Sequence, residues 1–218
     1  MSFPGCFITL EGGEGAGKTT HLSTITRFLA GQGIDFIATR EPGGTPVGES
    51  IRGILLNAEL PAMHFDTELL LMFAARNEHL QQVIIPALQQ GQWVICDRFT
   101  DASYAYQGHG RGLSLSRIAA LETWVQRNLR PDFTFLFDLD VNISLQRVQK
   151  RSAGNATQID RFEREQVDFH QKIRDGYLAR CAEYPRQFIK IQADNKLEVV
   201  EQQVLKALKQ VVENRVVA

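Results

Sequence analysis

Near its start the chain reads Gly12-Gly13-Glu14-Gly15-Ala16-Gly17-Lys18-Thr19, which fits the pattern G-x-x-x-x-G-K-[ST] of a phosphate-binding loop. The apolar run at residues 6–10 is the strand that such a loop follows. Its glycines allow backbone N–H groups to curl around an anionic phosphate chain, because side chains there block the approach. The alternative is a glycine-rich strand-to-helix turn without a ligand.

The last two residues of the loop supply the charge chemistry. Lys18 places a point charge on the terminal phosphates, and the Thr19 hydroxyl is a ligand for Mg²⁺. A helix beginning near Lys18 directs the positive end of its dipole at the same phosphates.

Composition limits the class of protein. The 218 residues are 44% hydrophobic and 22% charged, which predicts a single domain over residues 1–218. A formal charge of −1 lacks the basic surplus of a nucleic-acid-binding protein, so a small nucleotide is the expected partner. Three cysteines without a C-x-x-C pair are typical of core thiols in a reducing compartment. The sequence shows neither a signal peptide nor a membrane span, so we expect a cytoplasmic protein with no membrane partner.

Five short apolar runs look like buried strands, with helical patterns between them. They lie at residues 6–10, 36–39, 93–96, 133–137 and 188–191. This alternation predicts an α/β fold in which helices cover both faces of a five-stranded parallel sheet. Within the helical stretches, Asp66 looks like a helix cap, and Pro86 is expected to kink or end that helix near Ile85.

Three predicted strand ends carry distinctive polar residues: Glu11, residues 39–44 and residues 97–99. Ligands bind beyond the carboxyl ends of strands in open α/β sheets, so we expect these ends to converge on one cleft. Arg98 is placed to fork onto a phosphate, and Asp97 either orients Arg98 or acts on Mg²⁺ and its waters. The alternative is a plain ion pair that closes the strand.

Two further carboxylates compete with Asp97 for the metal. Asp138 and Asp140 also follow an apolar strand, but the segment continues into Asn142, which looks like a helix N-cap. Capping or turn formation is the simpler explanation for both.

Residues 147–161 cluster cations, among them Arg147, Arg151 and Arg161, around a polar loop. Such a run is usually a solvated face. The phosphate loop itself contains no arginine to stabilise charge that develops during phosphoryl transfer, so we interpret the segment as a lid carrying Arg151.

Glu14 is repelled by a polyphosphate, and we expect it to face a sugar hydroxyl of a second substrate. An exposed loop acid without a role is the alternative.

Several motifs together resemble one family in order and spacing. Besides the phosphate loop, they are Thr39-Arg40-Glu41-Pro42-Gly43-Gly44-Thr45, Leu71-Met72-Phe73-Ala74-Ala75-Arg76, Asp97-Arg98-Phe99 and Ala105-Tyr106-Gln107-Gly108. The combination resembles the bacterial thymidylate kinases over nearly the whole chain. The resemblance implies a phosphate-loop fold with a small lid, a homodimer, and transfer of phosphate from ATP to dTMP with Mg²⁺.

The resemblance also implies residue roles. Glu14 contacts the sugar 3′-hydroxyl, Arg52 and Arg98 hold the dTMP phosphate, and Arg76 bonds the thymine ring. Ser103 and Gln107 line the base edge, and Tyr106 crowds the 2′ position. Lid arginines Arg151, Arg147 and Arg161 join Lys18 and Arg98 in catalysis.

Two positions depart from the family pattern. The aromatic that stacks on the base usually lies four residues before the arginine, where this chain has Met72, whereas Phe73 is three before. Both lie on the helix face of Arg76, so either can contact the base. Ala102 replaces a common serine, and Ser103 is its neighbour.

Another nucleoside or nucleotide monophosphate kinase is the nearest alternative function. A nucleotide-dependent switch is disfavoured because the motifs N-K-x-D and D-x-x-G are absent from the sequence.

Overall fold

In a computed structural model, which describes residues 3–154 and 160–216, five strands form one parallel sheet. They are β1 Phe7–Glu11, β2 Phe36–Arg40, β3 Trp93–Asp97, β4 Phe133–Asp138 and β5 Phe188–Gln192, in the order β2-β3-β1-β4-β5. The predicted α/β class and five-stranded parallel sheet are confirmed. Each strand ends one residue beyond its predicted apolar run, because the polar residue at its carboxyl end still pairs.

Helices connect the strands. The bounds are α1 Lys18–Gly31, α2 Pro46–Leu56, α3 Phe65–His79, α4 Ile85–Gln89, α5 Thr100–Ser103, α6 Leu115–Gln126, α7 Val141–Gly154, α8 Val167–Glu183 and α9 Leu197–Val216. Two π-helical segments, Leu80–Ile84 and Tyr104–Gly110, follow α3 and α5. Within the described ranges, none of these helices is long and apolar enough to cross a membrane.

Alternating strand residues pack on the two faces of the sheet. Ile8, Leu10, Ile95 and Phe135 pack in one buried cluster with apolar residues of α1 and α9. Phe7, Val94 and Cys96 pack on the other face with the π-helical segment after α3 and with α4. Leu136 packs with α8. This two-sided burial fixes the sheet between helices and leaves its carboxyl edge open for a site.

Local boundaries agree with one prediction and differ from two. The predicted irregularity near Ile85 is present: the π-helical segment ends at Ile84, and Pro86 lies in the first turn of α4, where its missing N–H costs no bond. His64 caps α3 by accepting the Asp66 N–H at 3.3 Å, so Asp66 lies in the first turn, where the dipole favours a carboxylate. Asp140 accepts the N–H of Asn142 at 2.9 Å, so the aspartate caps α7 and the asparagine lies within it.

Candidate active site

The loop between β1 and α1 has the backbone shape of an anion cradle. Gly12, Gly15 and Gly17 have φ values of 136°, 67° and 93°. A Cβ at Gly12 would lie 2.5 Å from the carbonyl oxygen of Phe137, and one at Gly15 would lie 2.8 Å from that of Ser144. Only glycine fits these two positions, because both the dihedral angles and the neighbouring backbone exclude a side chain.

Lys18 curls back over this loop. Its Nζ donates to the carbonyl oxygens of Gly12 at 3.0 Å and Gly13 at 2.9 Å. Burial and the nearby Arg98 lower the pKa of Lys18, while Asp97 and Glu14 oppose that shift. The ammonium is therefore held at the mouth of the cradle, where phosphate oxygens offer it better partners than carbonyls do.

A cleft of about 960 Å³ opens in front of the loop at the carboxyl edge of the sheet. The predicted site residues that line it are Glu14, Gly15, Ala16, Gly17, Lys18, Thr19, Arg52, Met72, Arg76, Asp97, Arg98, Ser103, Tyr106, Gln107, Arg147 and Arg151. Glu41 and Phe99 line it as well, so the strand ends after β2 and β3 meet the phosphate loop as expected. Such a volume lies within the usual range for small-molecule sites.

Arg98 lies at the centre of the cleft in a left-handed backbone conformation, with φ of 69°. Its guanidinium donates to the Gly12 carbonyl at 2.8 Å, the Tyr177 hydroxyl at 2.9 Å and Glu14 at 2.6 Å. Such a backbone is uncommon outside glycine, so the surroundings must hold it. The carboxylate of Glu11 does so by accepting the Phe99 N–H at 2.7 Å.

Glu14 turns away from the loop, as expected for an acid beside a phosphate site. Its Oε1 accepts from Arg98 and from the Tyr106 hydroxyl at 2.9 Å. Burial alone raises the pKa of Glu14, but Arg98, Lys18 and Tyr106 outweigh it and lower the pKa to about 2. The structure thus brings three predicted substrate residues, Glu14, Arg98 and Tyr106, into one hydrogen-bonded cluster.

Three hydrogen bonds hold the guanidinium of Arg76. Its Nε donates to Glu41 at 2.7 Å, Nη1 to Ser103 at 3.2 Å and Nη2 to the Phe99 carbonyl at 3.1 Å. Phe73 does not line the cleft: it lies in the core under the Arg76 guanidinium, at 4.6 Å from ring centre to Cζ. Of the two stacking candidates, therefore, Met72 is the one in the cleft wall.

Arg52 donates to the Pro42 carbonyl at 2.9 Å and lines the same cleft, and burial lowers its pKa. It lies on α2, so the helix after the residue 39–44 loop brings a second cation towards Arg98.

Asp97 and Thr19 are the groups in the cleft suited to a divalent cation. The Oδ1 of Asp97 is buried and has no hydrogen-bond partner among the described residues. An acceptor without a donor fits a hard cation or its water shell, and Thr19 adds a hydroxyl to the lining of the same cleft. The competing carboxylates are engaged elsewhere, since Asp138 pairs with Arg174 at 2.8 Å and Asp140 caps α7.

The three arginines of the predicted lid have different surroundings. Arg147 donates to the carbonyls of Ala193 at 3.0 Å and Gly15 at 3.4 Å, and Arg151 pairs with Glu163. Both line the cleft. Arg161 does not: it donates to buried Glu68 at 2.7 Å and to the Leu55 carbonyl. Residues 155–159 of the lid lie outside the described residues.

Several buried groups that hold these side chains had no predicted role. Glu41 also bonds His79 at 3.0 Å, and Tyr177 donates to Glu11 at 2.8 Å. The positions of Glu11 and Glu41 at strand ends were a usable signal. Tyr177 and Glu68 lie in ordinary helical patterns, so the sequence contains no signal for either.

A glycine cradle at the carboxyl edge of a parallel sheet, facing a cleft lined by cations, defines a phosphate-loop nucleotide-binding protein of the α/β class. The family model for thymidylate kinase matches residues 10–204. The thymidylate kinase of Alkalilimnicola ehrlichii is 54% identical over 90% of this chain and 88% of its own length. Those of Nitrosospira multiformis and Pseudomonas fluorescens are 52% and 51% identical over 94% and 96% of this chain, and 97% of each relative. The chain belongs to the thymidylate kinase family and is a phosphotransferase of the dTMP kinase type.

Proposed function

We propose that the cleft binds ATP and dTMP together and transfers the γ-phosphoryl group to dTMP, giving ADP and dTDP for dTTP synthesis. The observation that carries this assignment is the cluster of Arg98, Glu14 and Tyr106 directly beside the phosphate loop. A nucleoside monophosphate carries a phosphate, which a guanidinium binds, and a sugar hydroxyl, which can donate to a carboxylate.

ATP occupies the phosphate loop. Residues Gly12, Gly13, Glu14, Gly15, Ala16, Gly17, Lys18 and Thr19 form its phosphate site. Lys18 leaves the loop carbonyls to contact the terminal phosphates, and Thr19 and Asp97 are the residues that would hold Mg²⁺, directly or through water. The ion supplies charge neutralisation between the phosphates.

dTMP occupies the other half of the cleft. Arg98 and Arg52 hold its phosphate, and Glu14 accepts the 3′-hydroxyl in place of one present donor. Tyr106, held by its bond to Glu14, crowds the 2′ position and so favours deoxyribose. Met72 packs on the thymine ring, and Arg76, Ser103 and Gln107 read its edge.

Transfer needs positioning and charge stabilisation more than proton chemistry, because the acceptor is already an anionic phosphate. Arg98 and Lys18 bring two mutually repelling phosphates into line. Arg151 is released from Glu163 to stabilise the charge that develops on the transferred group, and Arg147 orients the phosphate loop from above. Closure of the lid over the cleft excludes water, which otherwise competes as the acceptor.

The same proposal covers the assembly and its location. Residues 1–218 act as one kinase domain, and two copies pair through α2, α3 and α6, which expose Ile54, Leu70 and Trp124. The free cysteines Cys6, Cys96 and Cys181 suit the cytoplasm. Sedimentation of wild type and Trp124→Glu tests the dimer: a monomeric wild type refutes it.

The first experiment measures ADP production from MgATP with dTMP, dUMP, dCMP, dGMP, AMP or no acceptor. Lys18→Ala, purified identically, controls for contaminating kinases. Strong dependence on dTMP, lost in the variant, is the expected result. Preference for another monophosphate contradicts the base pocket, and acceptor-independent hydrolysis alone contradicts the kinase assignment.

A further inference from the structure

Glu68 of α3 is a fully buried carboxylate on which three side chains converge. Its Oε1 accepts from Gln107 Nε2 at 2.8 Å, and its Oε2 accepts from Arg161 Nη2 at 2.7 Å. Arg111 Nη2 lies 3.4 Å from the same Oε2. Glu68 does not line the cleft, whereas Gln107 does. The carboxylate thus lies behind a residue that faces the substrate.

The contact decides which end of the Gln107 amide faces the base. A carboxylate beside two guanidinium groups offers acceptors only, so Gln107 must turn its NH₂ end towards Glu68. The carbonyl oxygen is then the end of the amide left for the cleft, which Gln107 lines. With Gln107 only 1% exposed, the amide has no solvent in which to turn over freely.

Arg76 lines the same cleft and supplies hydrogen-bond donors, whereas Gln107 supplies an acceptor. Its contacts with Glu41, Ser103 and the Phe99 carbonyl engage three of the five guanidinium N–H groups within the described ranges. The site therefore presents a donor from Arg76 beside an acceptor from Gln107. Thymine and uracil offer the matching edge, with O4 as acceptor and N3–H as donor, whereas cytosine reverses both groups.

We propose that Glu68 is a specificity-determining positioning residue that, by fixing the Gln107 amide, makes the cleft select a thymine or uracil edge over a cytosine edge. Arg161 and Arg111 act through Glu68 by keeping its charge compensated in the core. This assignment rests on the proposed placement of the base against Arg76 and Gln107.

The test compares kcat/KM for dTMP, dUMP and dCMP in wild type, Glu68→Gln and Gln107→Leu. A neutral amide at position 68 accepts either orientation of Gln107, so the dTMP-to-dCMP ratio in Glu68→Gln should fall by about tenfold or more. The dTMP-to-dUMP ratio should stay constant, because both bases share the same edge. In the double variant Glu68→Gln/Gln107→Leu the ratio should equal that of Gln107→Leu, since the residue at position 68 then has no amide to orient.

The matched control is Glu122→Gln, another buried glutamate, which accepts from the Tyr104 hydroxyl at 2.6 Å and lies outside the cleft. It should leave both ratios unchanged. Equal loss of rate with all three acceptors in Glu68→Gln refutes the inference, as do additive effects in the double variant.

Gln107→Leu keeps the test decisive if Glu68→Gln does not fold. If Gln107→Leu keeps the wild-type dTMP-to-dCMP ratio, the Gln107 amide does not contribute to base selection, and the role of Glu68 is refuted. A wild type that depends on dTMP yet uses dCMP equally well refutes this inference alone, whereas a wild type without dTMP-dependent turnover refutes the proposed function.

Discussion

The hydroxyl of Tyr177 links the central arginine of the cleft to a buried acid, and removing it tests how firmly that arginine must be held. The hydroxyl accepts from Arg98 at 2.9 Å and donates to Glu11 Oε2 at 2.8 Å. Tyr177 is 1% exposed on α8, outside the cleft. Tyr177→Phe deletes one oxygen and keeps the ring that packs against Tyr106.

The magnitude follows from the partners left behind. Glu11 is fully buried and keeps the N–H of Phe99, but its second oxygen loses the hydroxyl donor of Tyr177. Leaving a buried polar group unsatisfied costs about 1–3 kcal/mol. For a chain of this size each kcal/mol lowers the melting temperature by about 2–4 °C. Arg98 keeps its contacts with Gly12 and Glu14, so we expect kcat/KM for dTMP to fall by about tenfold, through loss of alignment.

Tyr104→Phe is the matched control, because it removes a tyrosine hydroxyl that donates to another buried glutamate, Glu122. Its stability should fall by a similar amount, whereas its kinetics should change little. Thermal denaturation and the coupled ADP assay are run on both variants at a temperature where each is folded. If Tyr177→Phe loses no more kcat/KM than Tyr104→Phe, Tyr177 has only a structural role and the reasoning fails.

Three further predictions follow from the site. Arg151→Ala should lower kcat far more than it weakens dTMP binding, because Arg151 acts on charge that develops during transfer; unchanged turnover by the ADP assay contradicts the lid assignment. Asp97→Asn should raise the Mg²⁺ concentration needed for half-maximal rate, and an unaltered Mg²⁺ titration would remove Asp97 from the metal site. Burial raises the pKa of Glu11 from its ordinary 4.5 to about 8, so the folded state holds a proton that the unfolded state has lost. The stability that Glu11 contributes should therefore be lost as pH rises from about 5 to 8, and the difference in urea-unfolding free energy between wild type and Glu11→Gln should change with pH in that window.

The sheet and the phosphate loop were predictable because their determinants are local. Each strand is a short apolar run, and the alternation with helices leaves few topologies for a parallel sheet. The backbone has positive φ at Gly12, Gly15 and Gly17, and the motif names the first and the last of these glycines directly. Convergence of the strand ends followed from the parallel arrangement alone.

Side-chain direction was less predictable, since it depends on neighbours far away in sequence. Met72 and Phe73 lie on the same part of α3, and the helical period alone did not separate them. Phe73 packs with Tyr104 and Ile118, which come from later elements, and so it turns into the core. Arg161 likewise turns to Glu68, whose burial the sequence does not reveal.

The buried carboxylates explain how one cleft holds so many arginines. Two anionic substrates require cations, yet unpaired guanidinium groups in a partly buried site repel one another and lose their hydration. Glu14 compensates Arg98, and Glu41 compensates Arg76, each through a bond shorter than 2.8 Å. Because Glu14 is also the proposed partner of the sugar, arrival of dTMP replaces part of its bond to Arg98 and frees the guanidinium for the phosphate. Binding of the sugar of dTMP thereby prepares Arg98 for its phosphate. An acceptor that lacks the 3′-hydroxyl should therefore show a decrease in kcat that is larger than the increase in its KM.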